Sequence, residues 1–241
     1  MPGRARLAPD LHVRHGEGMV ETAQTRQQDL AEEVQLALAY ARPADRPLLR
    51  SMFELDRRLA GVVATSSETV IGQMRLAWWR DLLCKPASER PLGEPLVMSI
   101  SDAWGEQAAE LTELVDGWEA LLVAETLEPE TLDQFCKGRA SGWSAAVRGL
   151  GFAEAEQQKA RRAGYRWALA DLAAHLSDED ERHLVLAHAE TIAPTKAMHR
   201  RVRTLAILSG LSKRSLSLGG KPLLEGRAAA LLALRIGISG R

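Results

Sequence analysis

The sequence predicts an all-α protein in which many helices form one bundle. Apolar residues recur at helical spacing along most of the chain, and no stretch shows strand-like alternation of useful length. The chain has 241 residues, of which 46% are apolar and 26% are charged. This length is enough to bury a full core, and the composition excludes collagen-like, low-complexity and wholly disordered classes.

Prolines and capping residues delimit the first predicted helices. The first 20 residues show no periodicity and are expected to form a loose tail (1–20), which places the helical domain at 21–241. Pro43 ends the first helix, and Pro47 suits the first turn of the second. A serine at 66 or 67 is suited to cap the third. These signals predict helices over 20–41, 45–64 and 66–83.

Prolines and glycines also delimit the rest of the bundle. Three prolines between positions 86 and 95 indicate a connection rather than a helix. Pro129 suits the first turn of a long helix, which ends near Gly149 and Gly151. The remaining helices are predicted over 96–104, 107–124, 129–149, 153–176, a short segment after 178, 194–211 and 222–236.

Cysteine content and hydropathy indicate a cytoplasmic protein. Cys84 and Cys136 lie 52 positions apart with no CxxC motif, and both are expected to be reduced thiols in the core. The longest apolar run, 228–234, is followed by Arg235, whereas about 20 apolar residues are needed to cross a bilayer. The N-terminus has no apolar stretch of the secretory type. A location peripheral to a membrane stays open.

Charge is unevenly distributed although the net charge is only −1. The segment 102–133 has ten acidic and no basic residues, whereas 196–241 has ten basic residues and one acid. The basic segment suits a protein partner with acidic residues or an anionic membrane surface, and a solvated face is the simpler alternative. It lacks interleaved aromatic residues, which argues against nucleic acid as a partner.

Polar residues occur at unexpected places in two predicted helices. Asp56 falls within the apolar stripe of the helix 45–64, where a carboxylate needs a partner, a metal ion or a polar cavity. Asp171 and His175 lie opposite the leucine face of the helix 153–176, on the side that also carries Trp167. These two side chains are therefore expected to point into an interior cavity, with a satisfied hydrogen bond or plain exposure as the alternative.

One string carries a family resemblance. Residues 73–81 read QMRLAWWRD, which resembles the RLxWWR signature of the squalene/phytoene synthase family. Upstream, FELDRRLAGVV (53–63) stands where that family has its first aspartate-rich helix. Downstream, GYRWALADLAAHL (164–176) is similar to the second, and the final LLALRIGISGR is similar to the closing helix of bacterial members. The resemblance covers about 28–241 and implies an isoprenoid-synthase-like bundle around a central cavity.

The sequence departs from the family at the aspartate-rich motifs. In enzymes of the family, two DxxxD motifs hold magnesium ions that bind diphosphate, because carboxylates at i and i+4 share one helix face. Here Asp56 is followed four residues later by Ala60, and Asp171 by His175. Neutral histidine is a poor magnesium ligand. The pattern is closest to a degenerate branch of the complex I assembly-factor type, so no metal site and no catalytic residue are expected.

The resemblance therefore implies a non-catalytic assembly, scaffold or binding factor that needs no cofactor. Two alternatives stay open: a Mg-dependent prenyltransferase that joins two isoprenoid diphosphates, and a module that binds an isoprenoid or another lipid. Guanidinium groups near the motifs are suited to bind phosphate or an acidic partner. The candidate ligand-binding residues of the cavity are Asp56, Arg57, Arg58, Gln73, Arg75, Trp79, Arg80, Asp171 and His175.

Overall fold

The computed structural model describes residues 30–240 and confirms that this part of the chain is all-α. Short 3-10 helices cover Ala87–Glu89, Gly105–Leu111 and Arg200–Val202. The α-helices are α1 (Glu32–Ala39), α2 (Arg46–Thr65), α3 (Thr69–Cys84), α4 (Pro95–Trp104), α5 (Thr112–Val123), α6 (Pro129–Gly149), α7 (Glu154–His175), α8 (Glu179–Glu190), α9 (Arg203–Ser217) and α10 (Gly226–Ser239).

Several predicted helix boundaries differ from the observed ones, most clearly at two helices. The first residues of the helix predicted over 107–124 belong instead to the 3-10 helix Gly105–Leu111, whose first residue, Gly105, has a φ of 53°. The helix predicted from 194 begins only at Arg203. Here Arg166 of α7 donates hydrogen bonds to the carbonyl oxygens of Ile192 (3.2 Å) and Ala193 (2.8 Å), which holds the segment in a non-helical conformation. The expected tail 1–20 and the start of the first predicted helix lie outside the described residues.

α6 and α7 form the interior of the bundle. Most side chains of α6 between 132 and 147 are buried, and a helix buried on nearly all sides is a central one. Small residues permit this, since Gly138 of α6 meets Gly117 of α5 and Gly164 of α7 meets the Trp143 ring. The close crossings fix how α5, α6 and α7 are placed relative to one another.

An aromatic cluster joins α2 to these two helices. The ring centroid of Phe53 lies 5.6 Å from that of Trp167 and 6.2 Å from that of Trp143, both edge to face. Trp143 and Trp167 are 5.3 Å apart. Such pairs stabilise a core beyond their buried area. They also place Asp56, one turn after Phe53, beside the inner helices.

The two cysteines differ in environment. Cys136 is buried in α6, and this burial raises the pKa of its thiol. The prediction that Cys84 lies in the core is wrong: it is the last residue of α3 and is exposed. Its neighbours Leu82 and Leu83 fill the core at that end, so the helix turns the thiol outward.

The terminal helix α10 has two apolar faces. Ala229, Ala233 and Ile236 pack into the bundle, whereas Leu231 and Ile238 are exposed. Across residues 30–240, no helix combines the length and apolar character that crossing a bilayer requires.

Candidate functional site

A cleft of about 1460 Å³ lies among α1, α2, α3, α6 and α7, with contributions from α4 and α5. This volume exceeds the roughly 300–1,000 Å³ of a typical small-molecule pocket. Aromatic and aliphatic side chains make up much of its wall, and charged groups are interspersed among them. The large apolar side chains that line it include Phe53, Ile71, Met74, Trp78, Trp79, Trp118, Phe135, Trp167 and Leu172.

The deepest charged group of the cleft is Arg139 of α6, whose side chain is only 2% exposed. Its Nε and Nη2 donate to Oδ1 (3.0 Å) and Oδ2 (2.6 Å) of Asp56, a two-pronged pair. Its Nη1 donates to Oδ2 of Asp171 at 2.6 Å. The indole Nε1 of Trp118 adds a hydrogen bond of 2.8 Å to Oδ1 of Asp56. One guanidinium therefore bridges the two aspartates.

Aromatic rings surround this guanidinium. The Cζ atom of Arg139 lies 4.0 Å from the ring centroid of Trp167, 5.2 Å from Trp118 and 5.4 Å from Phe135. A planar, delocalised cation can stack on rings while its edges donate hydrogen bonds, which an ammonium group cannot do. The surrounding rings and carboxylates therefore suit an arginine at position 139 better than a lysine.

The bridge sets the charge states of its members. Burial alone would raise the pKa of Asp171, but the charges of Arg139, His175 and Arg57 together with the Arg139 hydrogen bond hold that pKa below its ordinary value. Burial would lower the pKa of Arg139, but Asp56 and Asp171 outweigh it and raise that pKa. The carboxylate of Asp171 and the guanidinium therefore stay ionised at neutral pH.

His175 and Glu33 border this bridge. The Nδ1 atom of His175 lies 2.7 Å from the backbone oxygen of Asp171 and 3.5 Å from its Oδ1. Glu33 of α1 also lines the cleft, and burial, followed by the nearby charge of Asp171, raises the pKa of its carboxyl. Across the part of the chain in the structure, no group of three or more His, Cys, Asp or Glu side chains could hold a metal ion.

Three arginines lie nearer the solvent along the cleft. Arg58 forms an ion pair with Glu94 (3.0 Å) and lies 5.9 Å above the Trp79 ring. Arg57 is partly exposed and Arg75 is exposed, and neither forms an ion pair with another described residue. Both guanidinium groups line the cleft, and the charge of Arg57 also acts on Asp171.

Seven of the nine candidate residues line the cleft, and two do not. Gln73 donates to Glu119 at 3.4 Å, and Arg80 forms ion pairs with Asp116 and Glu119, both at 2.5 Å. Residues seven apart share one helix face, and this face of α3 packs on α5. The expectation that Gln73 and Arg80 line the cavity is corrected by this packing.

Sequence reasoning missed Arg139, Trp118 and Glu33. A signal existed for Arg139, since Phe135 and Trp143 stand four residues before and after it on one face of the predicted helix. A charge in such a stripe needs a partner, just as Asp56 does. Nothing comparable distinguishes Trp118 or Glu33 from ordinary residues of amphipathic helices.

Comparison of the chain with protein-family models, with curated proteins and with solved structures finds no match in any of the three. The resemblance to the squalene/phytoene synthase family stays an expectation from the sequence segments that carry it. A function for the cleft therefore has to follow from its own residues.

Proposed function

We propose that the protein binds an anionic amphiphile in the cleft, an isoprenoid diphosphate or a related lipid with a phosphate head group, without metal-dependent catalysis. The absence of metal-dependent catalysis in this proposal is carried by the bridge from Arg139 to Asp56 and Asp171, and the ligand class by the arginines and apolar side chains that line the cleft. The scaffold we propose is the isoprenoid-synthase-like bundle of the squalene/phytoene synthase family. The chain is then a non-catalytic binding factor built on that scaffold.

The bridge leaves the two aspartates poorly suited to bind magnesium. Both carboxylate oxygens of Asp56 accept hydrogen bonds, from Arg139 and from Trp118, and one oxygen of Asp171 does so. Magnesium requires free oxygen ligands in near-octahedral geometry. The fixed positive charge of the guanidinium also repels a dication at this position. The residues present therefore do not fit a diphosphate-binding magnesium cluster, which argues against the prenyltransferase alternative.

The other residues of the cleft suit the two parts of an amphiphile, its charged head group and its apolar tail. Arg57 and Arg75 line the cleft and form no ion pair within residues 30–240, and guanidinium groups bind phosphate oxygens with charge-assisted hydrogen bonds. The apolar wall around Phe53 and Leu172 can bury a hydrocarbon chain, with a gain of about 0.8 kcal/mol per CH₂ group. An anionic head and an apolar tail are thus both accommodated without a metal ion.

A thermal-shift titration with farnesyl diphosphate tests the proposal. A ligand of the native state at about 100 times its Kd stabilises it by about 2.7 kcal/mol. For a chain of this size that raises the Tm by roughly 5–10 °C. We expect the same rise in EDTA and in magnesium. A folded sample without a shift would contradict binding, and a shift that needs magnesium would reinstate the enzyme alternative.

Charge-removing variants locate the head group. Replacing both Arg57 and Arg75 with glutamine is expected to weaken farnesyl diphosphate binding about tenfold or more, because two charge-assisted contacts are lost. Arg50→Gln is the matched control: Arg50 lies on the same helix as Arg57, pairs with Glu54 (2.7 Å) and does not line the cleft. Equal binding by the double variant and the control would place the head group elsewhere.

An assembly or scaffold role is the second candidate. It is favoured by the exposed apolar face of α10, where Leu231 and Ile238 stand beside Arg227 and Arg235 in the basic C-terminal segment. Large exposed apolar residues mark interaction sites when they occur together. This role predicts an unchanged Tm with farnesyl diphosphate and binding to an acidic protein partner that Leu231→Glu abolishes.

A further inference from the structure

We propose that the outer face of α3, where it borders the cleft, docks on an anionic lipid bilayer. We call this face the α3 stripe and define it as Val70, Ile71, Met74 and Trp78. This surface is additional to the ligand site and is argued from the exposed residues of α3 and from the charges beside them.

The stripe is exposed although its residues are large and apolar. Val70 is 64% exposed and Met74 is 69% exposed, and Ile71 and Trp78 are also exposed. Their spacing along the chain (i, i+1, i+4 and i+8) places all four within one side of the helix. The opposite side carries Leu76 and Leu83 in the core. α3 is therefore apolar on two sides, although only one side is covered by the protein.

The stripe is continuous with the cleft. Ile71, Met74 and Trp78 line the cleft as well as being exposed, whereas Val70 lies outside the lining. An apolar path thus leads from the surface into the cavity. If the cleft holds a lipid as proposed above, the tail could pass from a bilayer into it without crossing water.

The charges beside the α3 stripe favour an anionic bilayer as its binding partner. Arg75 of α3 and Arg57 of α2 form no ion pair within the described chain, whereas Glu94 is paired with Arg58. An acidic residue, Asp81, stands on the same side of α3 one turn beyond Trp78 and ends the apolar run. Guanidinium groups without an ion pair in this part of the chain, next to apolar residues and a tryptophan, match the head-group region of an anionic membrane.

A second copy of the chain matches this surface less well. A twofold contact through the α3 stripe would bring the same surface together from both subunits. The unpaired Arg75 of one copy would then approach that of the other, with like charges desolvated together. An anionic bilayer instead supplies the opposite charge.

Vesicle flotation with the full chain tests the docking surface. We expect binding to vesicles of phosphatidylcholine with about 30% phosphatidylglycerol, and much weaker binding to phosphatidylcholine alone. Val70→Glu should weaken binding to the anionic vesicles about tenfold, because it puts a negative charge into the membrane contact. Leu92→Glu is the matched control, since Leu92 is 91% exposed, does not line the cleft and lies outside both α3 and the basic C-terminal segment. It should leave binding unchanged, and unchanged circular dichroism and Tm values should show that both variants fold.

Four results would overturn the docking surface. They are no flotation with anionic vesicles, equal flotation with both vesicle types, an equal loss for Leu92→Glu, or a dimer in light scattering that Val70→Glu dissociates. Failure of the ligand proposal gives a different result. Val70 does not line the cleft, so Val70→Glu should keep the Tm rise with soluble farnesyl diphosphate. Flotation without any Tm rise in the wild-type chain would refute ligand binding and leave docking intact.

Discussion

Replacing Arg139 with methionine lowers the free energy of unfolding at pH 7 by an expected 3 kcal/mol or more, roughly the cost of breaking a buried ion pair. The variant leaves Asp56 buried and Asp171 partly buried without the cation that now joins them. Methionine fills much of the space of arginine, so the loss reports charge rather than a cavity. For a chain of this length the Tm should fall by about 10 °C.

Arg148→Met is the control for this variant. Arg148 lies on the same helix and forms an ion pair with Glu110 (3.0 Å), in which the arginine side chain is 49% exposed and the glutamate side chain 28%. An exposed pair contributes about 0–1 kcal/mol, so this variant should unfold almost as the wild type does. Adding Asp56→Asn and Asp171→Asn to Arg139→Met should restore most of the loss, because the uncompensated charges are then gone. Equal small losses for the two methionine variants would contradict a structural bridge.

The pH dependence of Arg139→Met gives an independent check. In the wild type the pKa of Asp171 is lowered, so its stabilising effect is complete above about pH 4 and is lost as the pH falls through that lowered value. In the variant the charge of Arg139, which opposes the effect of burial most strongly, is absent. Burial is therefore expected to raise the pKa of Asp171. The deficit of the variant should therefore be largest at pH 7 and shrink on acidification toward pH 5. A deficit that stays constant or grows over this range would contradict the assignment.

Gly138→Ala is expected to cost about 3 kcal/mol, at the upper end of overpacking effects. A Cβ at this position would lie 2.5 Å from the backbone oxygen of Glu113 and 2.6 Å from the Cα of Gly117. These atoms are backbone, so no side chain can rotate away and α5 must separate from α6. Urea unfolding monitored by circular dichroism measures the loss.

Gly61→Ala tests the same substitution where there is room. Apart from the adjacent residues and the backbone of its own helix, nothing in the described structure lies within 4 Å of a Cβ built at Gly61, which stands in α2. Alanine restricts the unfolded chain and favours the helix, so the variant should be more stable by about 0.5–1 kcal/mol. Opposite signs for the two substitutions would show that the crossing of α5 and α6 sets the cost. A loss at Gly61 similar to that at Gly138 would contradict this explanation.

Proline and glycine positions were enough to predict those helices whose ends are set by neighbouring residues in the sequence. Pro129 and Gly149 bound α6 as expected, because proline suits a first helical turn and glycine suits an end. The segment after residue 193 could not be predicted in this way. Its conformation depends on hydrogen bonds that Arg166 donates to the carbonyl oxygens of Ile192 and Ala193. These residues lie 26 and 27 positions after Arg166 in the chain.

The candidate site was predictable in part for the same reason. The position of Asp56 within an apolar stripe showed that it needs a partner, and the structure provides Arg139, 83 residues away. Periodicity alone does not say which helices face each other, so it could not select that partner. Likewise, the seven-residue spacing puts Gln73 and Arg80 on one face of α3, but only the packing on α5 turns that face away from the cleft.

Because the cation between Asp56 and Asp171 is covalently part of the chain, neither a chelator nor a change in cellular magnesium can remove it. It also constrains how the protein can evolve. A metal-dependent site in this cleft would need the loss of Arg139 and the gain of further acids, for example at Ala60 and His175. If the arginine is lost first, Asp56 and Asp171 remain as carboxylates without a cation between them. If the acids are gained first, additional negative charges repel these two carboxylates. Each first step is destabilising, so the arrangement of Asp56, Arg139 and Asp171 is difficult to change one substitution at a time.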